Sequence, residues 1–351
     1  MTRRGRDQEG HERAGPGPGG GRQVDALAAL NGMRPERLTG ARVVVGPELS
    51  EELCAGLAGA LAGDGVPVSR WDPADGGDGP LVYVGGRPAA ELRGDPRLVW
   101  FHSASAGVDA ALSGGWPEGV LLTRTVGRMA ERMAQYVLGW VLAEAQHVPV
   151  YLRQQADRVW LRRPGELVAG RTAVVFGAGS IGSEIGGLLR RCGVRTVGIA
   201  RTARPDRSAE GFDRLLTLDQ AAAEGVLDEA RWVVGVLPLT AGTRGYFDRG
   251  FFDRLGARPS FLNLGRGAAV DLPALAAALE SDRVRSAVLD VVPEEPAGPD
   301  ALCWRLPRTV VTSHSSGVTD DEDVIRDLVA ARRALASGGL PALTVDPARG
   351  Y

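Results

Sequence analysis

Residues 171–192 read RTAVVFGAGSIGSEIGGLLRRC, and this stretch decides the fold. Its first half, TAVVF, is an apolar, β-branched run of the kind buried on both faces of a parallel sheet. Its second half, SEIGGLLRRC, has a helical pattern. Between them Gly177, Gly179 and Gly182 form G-x-G-x-x-G. The first glycine permits a tight turn, the second lets backbone approach a pyrophosphate, and the third lets helix pack on strand. Amides at the helix start, around Ser180 and Ile181, then face phosphates with the favourable end of the helix dipole. Strand, turn and helix in that order predict a dinucleotide site; a glycine turn without a ligand is the bland alternative.

Outward from this unit the βα alternation continues in both directions. Downstream come TVGIAR, RWVVGVLPL, SFLNLGRG, SAVLDVV and TVVTSHSSG, making six strand-like runs with TAVVF and matching a complete dinucleotide-binding sheet. Upstream, ARVVVG, VPVSRW, PLVYVGG, RLVWFHS and GVLLTR predict a smaller doubly wound domain. One long helical pattern, from about Arg128 to Arg158, joins the two, with Met129, Met133, Val137, Val141 and Ala145 near helical spacing. A charged amphipathic helix runs from Gly317 to about Ala336, and the terminal VDPARGY is expected to fold back on the first domain. The fold class is α/β: two doubly wound parallel-sheet domains, a Rossmann domain (129–317) inserted in a flavodoxin-like substrate domain (23–128 and 318–351). The glycine- and proline-rich residues 1–22 read as a disordered tail.

Composition excludes several classes. A chain of 351 residues fits two domains better than one core. The formal net charge of -2 gives no pull toward nucleic acid or anionic membrane, so small molecules and like subunits are the expected partners. Cys54, Cys192 and Cys303 form no CxxC pair, which predicts neither a metal site nor disulfides and favours a cytoplasmic setting. No run approaches the ~20 apolar residues of a membrane helix, and the basic first residues lack the apolar core of a secretory signal.

The chemistry is expected at the carboxyl ends of strands, where open α/β sheets place ligands. The strand TVGI ends in Ala200, Arg201, Thr202, Ala203 and Arg204, where an NAD enzyme would place an acid on the ribose hydroxyls. Two guanidinium groups and no carboxylate favour NADP(H) over NAD(H), solvent-facing arginines being the alternative. In FLNLGRG, Arg266 stands between Gly265 and Gly267, which would let its guanidinium approach a substrate carboxylate closely. SAVLDVVPEEP supplies Asp290 and Glu295, and VVTSHSSG supplies His314. A histidine partnered by a carboxylate can lend a proton to a carbonyl oxygen.

These segments, in this order and spacing, resemble the D-isomer-specific 2-hydroxyacid dehydrogenases: GAGSIG, LPLTAGTRG, NLGRGAAVD, LDVVPEEP and TSHSSG. The resemblance covers nearly everything after the tail. It implies that Arg266 binds substrate, that His314 is the acid/base, and that Glu295 orients it, with Glu294 as the rival glutamate. It implies that SASAGVD is the substrate loop, with the amides of Ala106 and Gly107 on a carboxylate. It places Leu237, Pro238, Thr243, Leu264, Gly265, Asp290 and Gly317, with Arg201, Thr202 and Arg204, around the cofactor. AGVD at 106–109, ART at 200–202 and the terminal VDPARGY make the chain similar to the NADPH-using bacterial glyoxylate/hydroxypyruvate reductases. One departure stands out: the family usually has proline before its histidine, and this chain has Ser313.

The expected reaction is hydride transfer between NAD(P)H and C2 of a small 2-oxo or 2-hydroxy acid, with no metal. Two alternatives stay open, a non-enzymatic NAD(P)-sensing module and a family dehydrogenase for a bulkier acid. His102 is read as a satisfied histidine at a strand end. Trp160 is read as buried, the alternative being an aromatic supplied across an interface. The helix carrying Met129, Met133 and Trp140 predicts a homodimer.

Overall fold

The computed structural model describes residues 31–74, 77–202 and 211–348; the tail expected at 1–22 and Arg204 lie outside them. The chain divides into two compact units, one formed by the chain up to Thr125 and from Asp321 onward, the other by Val126–Asp320.

The first unit runs β1 (Arg42–Val45), α1 (Glu51–Leu61), β2 (Val68–Arg70), β3 (Leu81–Gly85), β4 (Leu98–Ser103), α2 (Asp109–Leu112) and β5 (Leu121–Arg124). Its five strands are all parallel in the order β2-β1-β3-β4-β5, that of flavodoxin-like sheets. Strand alternation sorts the core. Val43 and Val45 meet Leu53, Leu57 and Leu61 of α1, while Val44 meets Leu81, Tyr83 and Phe101 on the other face. The hydroxyl of Ser50 caps α1 by accepting from the Leu53 amide at 2.9 Å, an interaction worth about 1 kcal/mol. At the far end of the chain, the Val345 amide donates to Leu122 O and the Arg124 amide to Leu343 O, so the terminal segment does pair with β5.

The second unit runs α3 (Met129–Ala145), α4 (Val148–Asp157), β6 (Thr172–Phe176), α5 (Ser180–Arg191), β7 (Arg195–Ile199), β8 (Arg214–Leu216), α6 (Leu218–Ala223), β9 (Ala230–Gly235), α7 (Arg249–Asp253), β10 (Ser260–Asn263), α8 (Leu272–Glu280), β11 (Ser286–Leu289) and β12 (Thr309–Val311). The last helix, α9 (Asp321–Ala336), returns to the first unit, where Val324, Leu328, Ala331 and Leu335 join the α1 face of its core.

The seven strands of the second unit are parallel in the order β12-β11-β10-β9-β6-β7-β8. Taken from β8 to β11 this is the Rossmann order 3-2-1-4-5-6, with its switch point between β6 and β9. Both faces are covered. Val174 and Phe176 of β6 meet Phe247, Phe251 and Phe261, whereas Ala173 and Val175 meet Met133, Val137 and Val141 of α3 and Ile185 and Leu189 of α5. Each such aromatic, fully buried, contributes roughly 2–3 kcal/mol.

The structure corrects four readings. The single helix expected from 128 to 158 is two: His147 turns left-handed at φ 58° and Pro149, which lacks an amide hydrogen, stands in the first turn of α4. The sheet has a seventh strand, β8, whose three residues at an edge are too short for a periodic signal. Met133 is buried and Met129, partly buried, packs on the same cluster, so this pair faces inward where the helix pattern suggested an open face; Trp140 lies partly buried, edge-on to Tyr136. Trp160 is fully exposed rather than buried, and it follows α4, a helix with no buried residue.

Candidate active site

At the switch point Gly177 follows β6 with φ +109°, a conformation that residues with a Cβ rarely adopt. A Cβ on Gly182 would sit 2.0 Å from the Gly177 oxygen, so the start of α5 rests directly on the turn. Gly179 differs: a Cβ there would meet nothing within 4 Å, and no side chain caps the helix it precedes. Clear space beside an uncapped twelve-residue helix, at the Ser180 and Ile181 amides, fits the pyrophosphate of a dinucleotide. Leu237 and Pro238 follow β9, and the Thr243 hydroxyl closes that loop by donating to Pro238 O at 2.6 Å and accepting from the Thr240 amide. Arg201 and Thr202 are exposed just past β7, and Arg201 pairs with no acid among the described residues.

Arg266 follows β10. Buried Asn263 shapes its turn, donating to Arg266 O at 3.1 Å and accepting from the Gly265 amide. A Cβ on Gly265 would fall 2.5 Å from Leu237 O, and one on Gly267 would fall 1.9 Å from the Val292 carbonyl carbon. The space these glycines leave is therefore filled by neighbouring backbone, which corrects the expectation that they serve a close approach to substrate. Leu264 is buried, and the Arg266 side chain is partly exposed, one Nη donating to Gly265 O.

On the same carboxyl edge, past β12, His314 Nδ1 lies 2.7 Å from Glu295 Oε2, while Glu295 Oε1 accepts from the Val292 amide at 2.9 Å. Glu295, not Glu294, reaches the ring. With Nδ1 committed to a carboxylate, Nε2 is the nitrogen left to exchange a proton. Ser313 and His314 both have φ +56°, two consecutive side-chain residues in the left-handed region at a cost on the order of 1 kcal/mol each. Beneath them sits Asp290, 2% exposed. Its Oδ1 accepts from the Thr312 hydroxyl at 2.7 Å and the Ser315 amide at 2.8 Å, and Oδ2 from the Ser316 hydroxyl and amide. Tyr136 from α3 reaches Thr312 Oγ1, and burial pushes its phenol up to about 12. Gly317 packs against Met129 and Met133 of α3.

Sequence reasoning missed Tyr136, Thr312 and Ser316 as a group. A signal existed: an acid directly after the buried run SAVL must find donors, and TSHSS is a donor-rich stretch on the neighbouring strand.

The first unit carries its own loop at the end of β4. The Ala106 carbonyl accepts from Arg124 and the Gly107 carbonyl from the Ser105 hydroxyl, while the amides of Ala106 and Gly107 have no partner among the described residues. Under this loop His102 is wholly buried between two threonines, Nδ1 2.7 Å from Thr123 Oγ1 and Nε2 3.0 Å from Thr125 Oγ1. Thr125 spends its one hydroxyl proton on Ser103 O, so it accepts from Nε2–H. Thr123 in turn accepts from the Trp100 indole and donates to Nδ1. The histidine is a neutral Nε2–H tautomer, its pKa pushed down to about 3 by burial.

Among the described residues no cluster of three His, Cys, Asp or Glu side chains is placed to hold a metal, and no helix is long and apolar enough to cross a membrane.

Comparison with known proteins adds three findings. Residues 138–316 match the family model of the D-isomer specific 2-hydroxyacid dehydrogenase NAD binding domain. An uncharacterized protein in the mprR 3' region of Streptomyces coelicolor is 49% identical over 281 residues, spanning 79% of this chain and 99% of that one. Two solved structures are similar. A D-isomer specific 2-hydroxyacid dehydrogenase from Xanthobacter autotrophicus Py2, in complex with NADPH and MES, has TM-score 0.78 and 28% identity over 88% of this chain and 99% of that one. An NADPH-dependent glyoxylate/hydroxypyruvate reductase from Sinorhizobium meliloti, in complex with NADP and sulfate, has TM-score 0.77 and 28% identity over 89% and 100%.

Proposed function

The chain belongs to the D-isomer-specific 2-hydroxyacid dehydrogenase family of NAD(P)-binding enzymes, and from that premise we propose that it reduces a small 2-oxo acid, glyoxylate or hydroxypyruvate, with NADPH. The observation that carries this reading is the Glu295–His314 pair, standing on the same sheet edge as the glycine turn. Glu295 holds the ring by Nδ1, and Nε2 hands a proton to the carbonyl oxygen. Arg266 grips the acid's carboxylate through parallel hydrogen bonds and offsets the charge that builds on oxygen. In the first unit, the amides of Ala106 and Gly107 are suited to bind a carboxylate. NADPH, when bound, supplies the hydride to C2.

The Ser180 and Ile181 amides meet the pyrophosphate, and Leu237, Pro238, Thr243, Leu264, Gly265 and Gly317 line the rest of the cofactor's path. Arg201, with Thr202 and Arg204, takes the 2'-phosphate. Support for NADPH is twofold: Arg201 has no competing acid at Ala200, and the similar Xanthobacter and Sinorhizobium proteins were solved with NADPH and NADP. The substrate choice leans on the Sinorhizobium enzyme at 28% identity.

A cytoplasmic homodimer completes the proposal. The cysteines are free, and exposed Leu152, Trp160, Leu161 and Leu167 cluster on α4 and the segment after it. Light scattering should give twice the chain's 36.9 kDa. The test of function is a matrix of glyoxylate, hydroxypyruvate, pyruvate and phenylpyruvate against NADH and NADPH. Highest kcat/KM for glyoxylate or hydroxypyruvate with NADPH is expected; a preference for phenylpyruvate would assign a bulkier substrate.

A further inference from the structure

On the edge of the second sheet opposite the one that leads to His314 lies a cavity of about 150 Å³. It is lined by the starts of β11 and β12, the end of α3 and the first turns of α4, all within the second unit. The left-handed turn at His147 brings the two helices to this one space. A cavity of this order of size takes a molecule as large as benzene.

Two observations say what the cavity is built to meet. The first is Glu144, next to the last residue of α3. Its side chain is 10% exposed, its Oε1 accepts from the Ser286 hydroxyl, and its Oε2 has no hydrogen-bond partner among the described residues. Arg231 Nη1 stands 4.0 Å from that oxygen, too far to donate, and donates instead to Ser260, while its Nε and Nη2 go to Glu166. A buried carboxylate oxygen without a donor is costly, and the carbonyl end of a helix adds to the cost. A donor inside the cavity would remove it.

The second observation is unspent positive charge. The Arg285 guanidinium makes no hydrogen bond among the described residues, and its ion pair, at 3.5 Å, is with the Glu166 oxygen that Arg231 already holds. Burial, and then the charge of Arg231, pull its pKa below the ordinary arginine value, as expected of a cation short of counter-charge. Arg153 of α4 is exposed and has no partner among the described residues. Guanidinium groups around Glu144 disfavour a metal cation there, and a simple anion would leave Oε2 as unpaired as before. A ligand that satisfies both ends carries an ammonium and a carboxylate together. Trp140, Val150, Val288 and Val310 add apolar surface for a hydrocarbon side chain.

We propose that this cavity binds a small apolar α-amino acid as its zwitterion, the ammonium donating to Glu144 Oε2, the carboxylate accepting from Arg285 and Arg153, and the side chain resting on the apolar wall. The site is separate from the one assigned to the 2-oxo acid and does not rest on that assignment. Asp290 and His314 follow the carboxyl ends of β11 and β12, whereas the cavity lies at their amino ends.

Isothermal titration calorimetry on the full chain tests this with L-valine as the probe. The controls are 3-methylbutanoate, the same skeleton without the amine, and isobutylamine, the same without the carboxylate. L-Valine is expected to bind saturably and about tenfold or more tightly than either control, because each control forfeits one set of charge-assisted hydrogen bonds. Glu144→Gln, close in shape, and Arg153→Ala, at an exposed position, should each weaken L-valine by about tenfold. Arg266→Ala should leave its affinity within about twofold. NADPH binding by fluorescence reports that each variant is folded; if Glu144→Gln is not, Arg153→Ala decides. Absence of saturable L-valine binding at millimolar concentrations would overturn the proposal and leave Glu144 Oε2 to solvent. Equal binding of either control would overturn the zwitterion. Unchanged affinity in the cavity variants, with loss in Arg266→Ala, would seat the amino acid in the candidate active site instead.

Discussion

His102 and His314 each stand at the carboxyl end of a parallel strand, one in each unit, and their surroundings drive them to opposite uses. His102 is sealed between Thr123 and Thr125, its two nitrogens spoken for and its charged form excluded by burial. His314 has a side chain 55% exposed, one nitrogen on Glu295 and the other open. The residue type and the place in the sheet are shared; what differs is burial and the identity of the partner. A hydroxyl pair in a dry site makes the imidazole a strut under the loop at 103–107. A carboxylate at an accessible edge leaves it able to give and take a proton.

The comparison extends to Arg266, which follows β10 of the sheet that carries the second histidine, and there the largest of the effects below is expected. On the proposed reading Arg266→Ala removes a charged pair of hydrogen bonds to the substrate, so kcat/KM for glyoxylate should fall by several hundredfold, with KM raised and NADPH binding intact. An unchanged KM would move the carboxylate's anchor elsewhere.

The buried histidine should announce itself in acid. Its folded pKa of about 3 lies below the unfolded value near 6.5, so below pH 6.5 the unfolded chain takes up a proton that the folded chain refuses. Stability is then fully present above pH 6.5 and drains at roughly 1.4 kcal/mol per unit as pH falls, about 2 kcal/mol by pH 5. Denaturant melts of wild type and His102→Gln at pH 7.5 and pH 5 isolate this contribution. The variant should start lower at pH 7.5 and lose about 2 kcal/mol less on acidification. Parallel losses in both proteins would mean that His102 titrates in the fold.

The smallest effect separates two stretches of one sheet edge. Arg201 lies past β7 on the opposite side of the switch point from His314, and it should bear on cofactor choice alone. Arg201→Ser should lower the NADPH-to-NADH ratio of kcat/KM by about tenfold, one charge-assisted contact, and Ala200→Asp added to it should lower the ratio further. A wild type that already prefers NADH would make Arg201 a solvent-facing residue.

What could be read from the sequence was whatever has a local pattern. The glycine turn, the strand runs and each of the short segments that carry Arg266, Glu295 and His314 are signals contained within a few residues, and the structure brings His314 and Glu295 together at 2.7 Å. What escaped depends on partners far away in sequence. Nothing near Met133 says that its methionine faces Gly317 rather than another subunit. Gly265 and Gly267 announce a tight turn, but only the approach of Leu237 and Val292 shows why. The tautomer of His102 needs four side chains from two neighbouring strands, β4 and β5, and the donors around Asp290 come from the strand next to its own. β8, three residues at an edge, is too brief to carry a period at all.

The central claim is that the exposed histidine does the chemistry and the buried one supports the fold. It is tested most directly by following NADPH oxidation after addition of glyoxylate, with wild type, His314→Gln and His102→Gln side by side at a temperature where all three bind NADPH. Wild type is expected to turn over, His314→Gln to lose 100-fold or more in kcat, and His102→Gln to stay within a few-fold of wild type. Equal losses in the two variants, or full activity in His314→Gln, would contradict it.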